Sequence, residues 1–209
     1  MSDAYLTPIL LAAGASTRMG RPKALLDFEG RTALELALDS MAGYGMPVVV
    51  LGPNYEEIEE KTGLGQRSVR GVLNLDSSSG QTDSLKRALA VLPPQASAFF
   101  FMPVDFPLVS SADVARLVQA YRESKDPKKS IFVPSHDRKR GHPVLCRREL
   151  AAEFLALPPG GSARDVLRRD ESRLVHVDFP EAYVLMDMDT PEDYVRCLEA
   201  YRARRKASR

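Results

Sequence analysis

The sequence predicts a single-domain α/β protein with a mostly parallel central sheet flanked by helices. Short runs of apolar residues alternate with longer segments whose apolar residues recur at helical spacing, which is typical of this class. Several runs are apolar almost throughout, as strands buried on both faces are. The 209 residues contain no internal repeat and no low-complexity linker. We therefore expect one domain over 1–209, with a core from about 6 to 196.

The period of the apolar residues assigns each element in turn. Strands are predicted at Tyr5–Leu11, Pro47–Leu51, Val69–Leu75, Ala98–Met102, Ile131–Pro134 and Arg173–Val177. Helices are predicted between them at Thr32–Ala42, Tyr55–Thr62, Asp83–Leu92, Ala112–Ser124, Arg148–Ala156 and Ala163–Arg169. The fourth of these helices has one apolar stripe, formed by Val114, Leu117, Val118 and Tyr121. Such a stripe buries one helix face against the sheet.

A last helix is predicted after the segment Thr190-Pro191-Glu192-Asp193. That segment supplies a capping residue, a proline at the first helical position and acidic residues in the first turn, which together mark a helix start. The helix leads into a basic tail at 202–209. We expect this tail to be a solvated, frayed end rather than a binding arm.

Composition excludes several function classes. With 29 Lys and Arg against 28 Asp and Glu, the net charge is +1, so neither nucleic acid nor a membrane surface is an expected partner. No apolar run approaches a membrane span, and the first residues lack the pattern of a secretory signal. Cys146 and Cys197 match neither a disulfide framework nor a zinc site, so a reducing, cytoplasmic setting is expected.

The loop after the first strand is the first candidate site. Small residues at Leu11-Ala12-Ala13-Gly14 allow a ligand to approach the backbone, and Arg18 and Lys23 supply two cations suited to phosphate. The loop matches neither a Walker loop nor the dinucleotide-binding glycine pattern. The alternative is a glycine-containing surface turn with incidental charge.

Carboxylates form the second candidate site. Asp105 follows an apolar strand directly, a position that faces the ligand crevice of an open α/β sheet and suits Mg²⁺. Asp187 and Asp189 would lie on one side of an extended segment. The alternatives are an Asx-turn for Asp105 and a helix cap for Asp189.

Three further segments have weaker signals. Ser78 to Leu85 places Gly80 and Ser84 at a helix start, where a ligand can approach. Gly141-His142-Pro143 leaves His142 free to bind an acceptor phosphate, to titrate or to shape the turn before an edge strand. The basic stretch Arg138-Lys139-Arg140 suits either an anion or a solvated surface.

Five of these segments, in order from about Leu6 to Arg196, resemble the motifs of the MobA-like NTP transferases. The long loop from Leu11 to Lys23, with both cations in register, is the most specific of them. The resemblance implies a Rossmann-like nucleotide-diphospho-sugar transferase fold. It also implies that Leu11, Ala12, Ala13, Gly14, Arg18 and Lys23 bind the nucleotide triphosphate, and that Gly80 and Ser84 contact its base and ribose. Asp105 and Asp189 would bind Mg²⁺, and Gly141, His142 and Asp187 would face the acceptor.

The resemblance further implies nucleotidyl transfer. An acceptor phosphate oxygen would attack the α-phosphorus of the NTP and pyrophosphate would leave, with Lys23, Arg18 and Asp105 as catalytic residues. Ala12-Ala13-Gly14 resembles the version of the loop in relatives that use CTP, and molybdopterin is the expected acceptor, with a molybdoenzyme as a downstream partner. The alternatives are guanylyl transfer, a sugar 1-phosphate acceptor, or a non-catalytic factor that delivers molybdenum cofactor.

Overall fold

The computed structural model describes residues 5–14, 16–76 and 80–207, and within them eight strands form one sheet. The strands are β1 Leu6–Ala12, β2 Val48–Leu51, β3 Arg70–Leu73, β4 Ala98–Pro103, β5 Ile131–His136, β6 Lys139–Arg140, β7 Val144–Arg147 and β8 Leu174–Asp178. The helices are α1 Ala33–Ser40, α2 Tyr55–Thr62, α3 Gln81–Leu89, α4 Ser111–Glu123, α5 Leu150–Leu155, α6 Ala163–Arg168 and α7 Pro191–Ala207. Each strand and helix predicted from the apolar period is present, with ends moved by a few residues.

The sheet brings the carboxyl ends of its central strands to one edge. Its order is β3-β2-β1-β4-β7-β5-β6, and β8 pairs with β5 in parallel. β1 pairs in parallel with both β2 and β4. Leu11, near the end of β1, is opposite Pro103 at the end of β4. The loop after β1 and the loop after β4 therefore start side by side, as the crevice rule for open α/β sheets requires.

The prediction that an edge strand follows Pro143 was wrong, because the strand there, β7, is internal. This strand lies inside the sheet and pairs antiparallel with β4 on one side and β5 on the other. Its residues Val144, Leu145 and Cys146 are buried. Three apolar residues are too few to distinguish an internal strand from a loop by periodicity alone.

The basic tail also differs from its prediction. α7 continues to Ala207, and Arg202 and Arg205 both pair with Glu29 at 3.0 Å. Arg204 donates to the carbonyl of Leu108 and to the carboxylate of Asp113. The prediction of a frayed end was wrong over these residues, because partners distant in sequence hold the helix. Residues 208–209 lie outside the described residues.

The helices cover both faces of the sheet. One buried cluster includes Leu10, Phe100 and Phe132, and a second includes Ile9, Phe99 and Phe154. This separation of alternate residues on β1 and β4 explains why those strands are apolar throughout. Among the helices of the described residues, none combines the length and apolar character needed to cross a membrane.

Candidate active site

A cleft of about 190 Å³ opens at the carboxyl ends of β1 and β4. The residues predicted for nucleotide and metal all line it: Leu11, Ala12, Ala13, Gly14, Arg18, Lys23, Gly80, Ser84, Asp105 and Asp189. Asn54 and Gln81 also line the cleft. Sequence analysis missed Asn54 because no motif marked it, and it did not select Gln81 although this residue lies between Gly80 and Ser84 in the segment that it identified. Ala15 of the loop and Ser78 and Ser79 of the serine segment lie outside the described residues.

The loop after β1 folds back so that Lys23 returns to the strand end. Ser16 has a left-handed backbone with φ of 52°, and its hydroxyl accepts a hydrogen bond from the amide of Lys23 at 3.1 Å. Gly20 also has a positive φ, 67°, a conformation that glycine adopts without strain. The hydroxyl of Ser16 therefore fixes the backbone of Lys23 at the strand end.

Gly52, directly after β2, makes room for this loop. A Cβ at this position would lie 2.3 Å from the carbonyl oxygen of Ala13, well inside van der Waals contact. Only glycine permits such close approach of two backbones. No sequence signal identified Gly52, because the requirement comes from the packing of two loops that are distant in sequence.

Lys23 is the centre of the site's charge network. Its Nζ donates to Oδ2 of Asp105 at 2.9 Å and to Oδ1 of Asp189 at 2.6 Å. Arg18 donates through Nη1 to the other oxygen of Asp189 at 3.3 Å. The side chains of Lys23 and Asp105 are only 15% and 10% exposed, whereas that of Arg18 is 72% exposed. Lys23 is thus fixed at the base of the cleft and Arg18 is free to turn towards a ligand.

Burial and charge shift the pKa values of this network in different directions. Burial opposes the charged form of Lys23, but the charges and hydrogen bonds of Asp105 and Asp189 outweigh it and raise the lysine pKa. Burial raises the pKa of Asp105 despite the attraction of Lys23, and the neighbouring carboxylates Asp187 and Asp189 add to the rise. The hydrogen bond from Lys23 lowers the pKa of Asp189. Lys23 remains a cation because two carboxylates stabilise its charge. The charge of Asp105 is stabilised by Lys23, whereas burial and the neighbouring carboxylates favour its neutral form.

Asp105 and Asp189 fit a magnesium ion that arrives with phosphate. Oδ1 of Asp105 is buried and has no hydrogen-bond partner, an arrangement that costs free energy unless a ligand completes it. Among the described residues, no group of three or more side chains could hold a metal by itself. Mg²⁺ commonly takes one or two carboxylates together with substrate phosphate oxygens and water, and this donor set matches that requirement.

The segment that carries Asp189 is anchored to the loop that carries Asp105. The amide of Met188 donates to the carbonyl of Asp105 at 3.0 Å, and the Met188 side chain is fully buried. Thr190 caps α7, and its hydroxyl accepts from the amide of Asp193 while the Asp193 carboxylate accepts from the amide of Thr190. The capping alternative therefore applies to Thr190, which leaves the Asp189 side chain for the cleft.

A second, larger cleft adjoins the first. It has a volume of about 990 Å³ and shares Leu11, Gln81 and Pro103 with the nucleotide cleft. Gly141 and His142 line it, as expected for residues that face the acceptor. Asp187 lines neither cleft; it is exposed, and its carbonyl accepts from the Cys197 thiol at 3.6 Å. The structure therefore brings Gly141 and His142 into the second cleft and leaves Asp187 outside it.

His142 is held in a fixed position in the second cleft. Its amide donates to the carbonyl of Val184 at 3.0 Å, and its ring lies 4.5 Å from that of Phe106 between centroids. A Cβ on Gly141 would lie 2.2 Å from the Val184 carbonyl oxygen. Burial lowers the pKa of His142 to about 4, so the imidazole is neutral at physiological pH and its Nδ1 is buried without a partner. A ligand in this cleft would therefore meet a neutral polar group rather than a cation.

The low pKa of His142 predicts a pH-dependent loss of stability. Between pH 6.5, the ordinary pKa of histidine, and a pH of about 4, the unfolded chain binds a proton on His142 that the folded chain does not bind. The free energy of unfolding should therefore fall as the pH falls through this window, by up to about 1.4 kcal/mol per pH unit. In His142→Gln this contribution should be absent. Denaturant unfolding between pH 4 and 7 measures the difference, and parallel profiles for the two proteins would contradict it.

Comparisons with known proteins agree with this geometry. A model of the MobA-like NTP transferase domain family matches residues 8–176. The nicotine blue oxidoreductase of Paenarthrobacter nicotinovorans is 32% identical over 92% of this chain and 96% of its own. The molybdenum cofactor cytidylyltransferase of Escherichia coli K12 is 25% identical over 92% of this chain and 95% of its own.

A solved structure shows the same fold. A Mycobacterium tuberculosis H37Rv protein in complex with manganese superposes with a TM-score of 0.74 at 28% identity, over 94% of this chain and all of the other. This superposition extends beyond residues 8–176, the region that the family model matches. With this fold, this cleft and this family match, the chain belongs to the MobA-like NTP transferase family and is a nucleotidyltransferase.

Proposed function

We propose that this nucleotidyltransferase moves CMP from Mg²⁺-bound CTP to the phosphate of a molybdopterin-type acceptor and releases pyrophosphate. One observation carries the proposal. The ammonium of Lys23 is held between Asp105 and Asp189 at the base of the cleft, where the small residues after β1 leave room for phosphate. A fixed cation next to carboxylates with an unsatisfied oxygen is suited to a metal-bound triphosphate.

The residues of the cleft would act by positioning and by neutralising charge. Lys23 would hold the α-phosphate, and the exposed Arg18 would turn onto the β- and γ-phosphates as a bidentate donor. Asp105 and Asp189 would hold Mg²⁺, which when bound neutralises charge on phosphate oxygens. The manganese complex of the mycobacterial structure supports a divalent cation in this family.

The reaction requires no protein base. The acceptor phosphate oxygen is already anionic, so it forms the new bond to the α-phosphorus as the bond to the leaving pyrophosphate breaks. The neutral His142, with its pKa of about 4, matches a role in contact rather than in proton transfer. Catalysis of this kind depends on orientation and electrostatics.

The choice of nucleotide and acceptor rests on similarity. Ala12-Ala13-Gly14 resembles the loop of CTP-using relatives, and the Escherichia coli relative is named a molybdenum cofactor cytidylyltransferase. Guanylyl transfer and a sugar 1-phosphate acceptor are the alternatives within the same chemistry. A factor that binds the cofactor without turnover and delivers it to a molybdoenzyme is the alternative of another class.

An assay of pyrophosphate release distinguishes the proposed function from these alternatives. The protein is incubated with each of the four common NTPs and Mg²⁺, with and without molybdopterin. We expect release with CTP that depends on molybdopterin. Release with GTP, or with glucose 1-phosphate as acceptor, would replace the nucleotide or the acceptor in this proposal. Tight binding of molybdopterin without release would favour the delivery factor, and oxidation or reduction of nicotine blue in place of release would favour the activity named for the Paenarthrobacter relative.

A further inference from the structure

The acceptor cleft has a concentration of positive charge that the proposed transfer does not use. Five cations line it: Arg138, Lys139, Arg140, Arg164 and Arg168. One carboxylate, Glu171, lines it with them and pairs with Arg140 at 3.0 Å. The other four cations have no carboxylate within ion-pair distance among the residues that the structure describes. Because the whole chain has a net charge of only +1, this is a local excess.

These cations come from two separate elements. Arg138 lies on the turn between β5 and β6, and Lys139 begins β6. Asp137 and Arg138 have consecutive left-handed backbones with φ of 49° and 62°. Such a two-residue turn favours Asn, Asp and Gly, so Arg138 at its second position costs conformational free energy. This strained turn places Arg138 at the edge of the cleft that it lines.

The second group of cations lies on α6. Ser162 caps this helix with a reciprocal bond to Asp165, and the amide of Ala163 donates to the hydroxyl of Thr82 on α3 at 3.0 Å. These bonds fix the start of α6 beside the helix that borders the nucleotide cleft. Arg164 lies close enough to His142 to contribute to the low pKa of its imidazole. Arg164 therefore lines the cleft together with His142.

Apolar side chains also line the cleft. Phe101, Val133, Val144 and Leu167 are among its lining residues, and its volume of about 990 Å³ lies at the upper end of the range for small-molecule sites. A short phosphate ester would leave most of this surface uncovered. The space suits a larger acceptor that has apolar surface as well as polar groups.

We infer that the acceptor carries a second anionic group, separate from the phosphate that receives the nucleotide, and that Arg164 and Arg168 bind it while Arg138 covers it. The inference rests on the proposed function, and it adds the substrate class: an acceptor with two separate anionic groups. Molybdopterin meets this description, because its ene-dithiolate is anionic and lies apart from its phosphate. A sugar 1-phosphate, with one anionic group, does not.

The test uses Arg164→Gln with Arg168→Gln in one variant, and Arg169→Gln as its matched control. Arg169 follows α6 directly but pairs with Glu153 at 3.0 Å outside the cleft. The double variant should raise the KM for molybdopterin about tenfold or more, because two charge-assisted hydrogen bonds are lost. The KM for the nucleotide and the kcat should change less than threefold, and the control should match the wild type.

Two further measurements make the outcome decisive. Equilibrium binding of molybdopterin without nucleotide should weaken in the double variant by a similar factor. If the wild type shows no turnover but this arginine-dependent binding remains, the proposed function fails and the anion site stands. If turnover occurs while the KM of the double variant is unchanged, the anion site is wrong and the proposed function stands. Preference for glucose 1-phosphate over molybdopterin, or molybdopterin binding that is absent or unaffected by the arginines, would likewise overturn the inference.

Discussion

Lys23→Ala is expected to lower kcat by about two to three orders of magnitude, the usual effect of removing one preorganised electrostatic group from a reacting phosphate or oxyanion. The ammonium is held by carboxylates at 2.6 and 2.9 Å, so it needs little reorganisation when charge develops on the α-phosphate. The KM for the nucleotide should change less, because Arg18 and the loop backbone still contact the triphosphate. Steady-state pyrophosphate release measures both constants.

The control for this experiment is Lys61→Ala. Lys61 lies on the exposed face of α2 and pairs with Glu57, one helical turn away, so its loss should leave kcat unchanged. A Lys23→Ala protein that keeps kcat within threefold of the wild type would show that Lys23 has no role in the transition state. A rise in KM alone would assign it to ground-state binding instead.

Asp105→Asn is expected to reduce turnover by at least about a hundredfold, through loss of a charged ligand for the metal, without lowering the melting temperature. Burial raises the pKa of Asp105, so the folded chain binds this proton more tightly than the unfolded chain does. Its ionised form therefore lowers stability as the pH rises above the ordinary aspartate pKa. Asparagine removes that cost, while Lys23 keeps its 2.6 Å bond to Asp189.

Thermal unfolding and turnover are measured together for this variant. Asp126→Asn, in an exposed loop where the side chain accepts from the amide of Lys128, is the control and should match the wild type in both. A large fall in melting temperature for Asp105→Asn would mean that the carboxylate serves the fold, and full activity would mean that it does not hold the metal. A stability gain with an activity loss is the pattern of a residue kept for function.

The parts of the fold that follow a local pattern could be predicted from the sequence. β1 and β4 are apolar throughout because helices cover both faces of the sheet, and their runs are long enough to recognise. β7 was missed as an internal strand because its three apolar residues become a strand only between two neighbours that pair with it. α7 was predicted to fray because nothing in the tail shows that Glu29 and Asp113 will pair with its arginines.

The candidate site likewise contains residues that the sequence could predict and residues that it could not. Lys23, Asp105 and Asp189 could each be selected from motif and position, but their contact joins residues 82 and 166 positions apart, which only the folded chain reveals. Gly52 has no signal of its own, since its requirement depends on how closely Ala13 approaches. Arg164 and Arg168 read as ordinary charges on a helix until the structure places them in the same cleft as Arg138.

The most direct test of this account follows the α-phosphate of the nucleotide. The wild-type protein is incubated with CTP labelled at the α-phosphorus, Mg²⁺ and molybdopterin, and the products are separated. The account predicts that the label appears on the molybdopterin phosphate, with one pyrophosphate released for each label transferred, and that Asp105→Asn abolishes both. Absence of label on the acceptor with any of the four NTPs, from a protein that binds them in the presence of Mg²⁺, would contradict it.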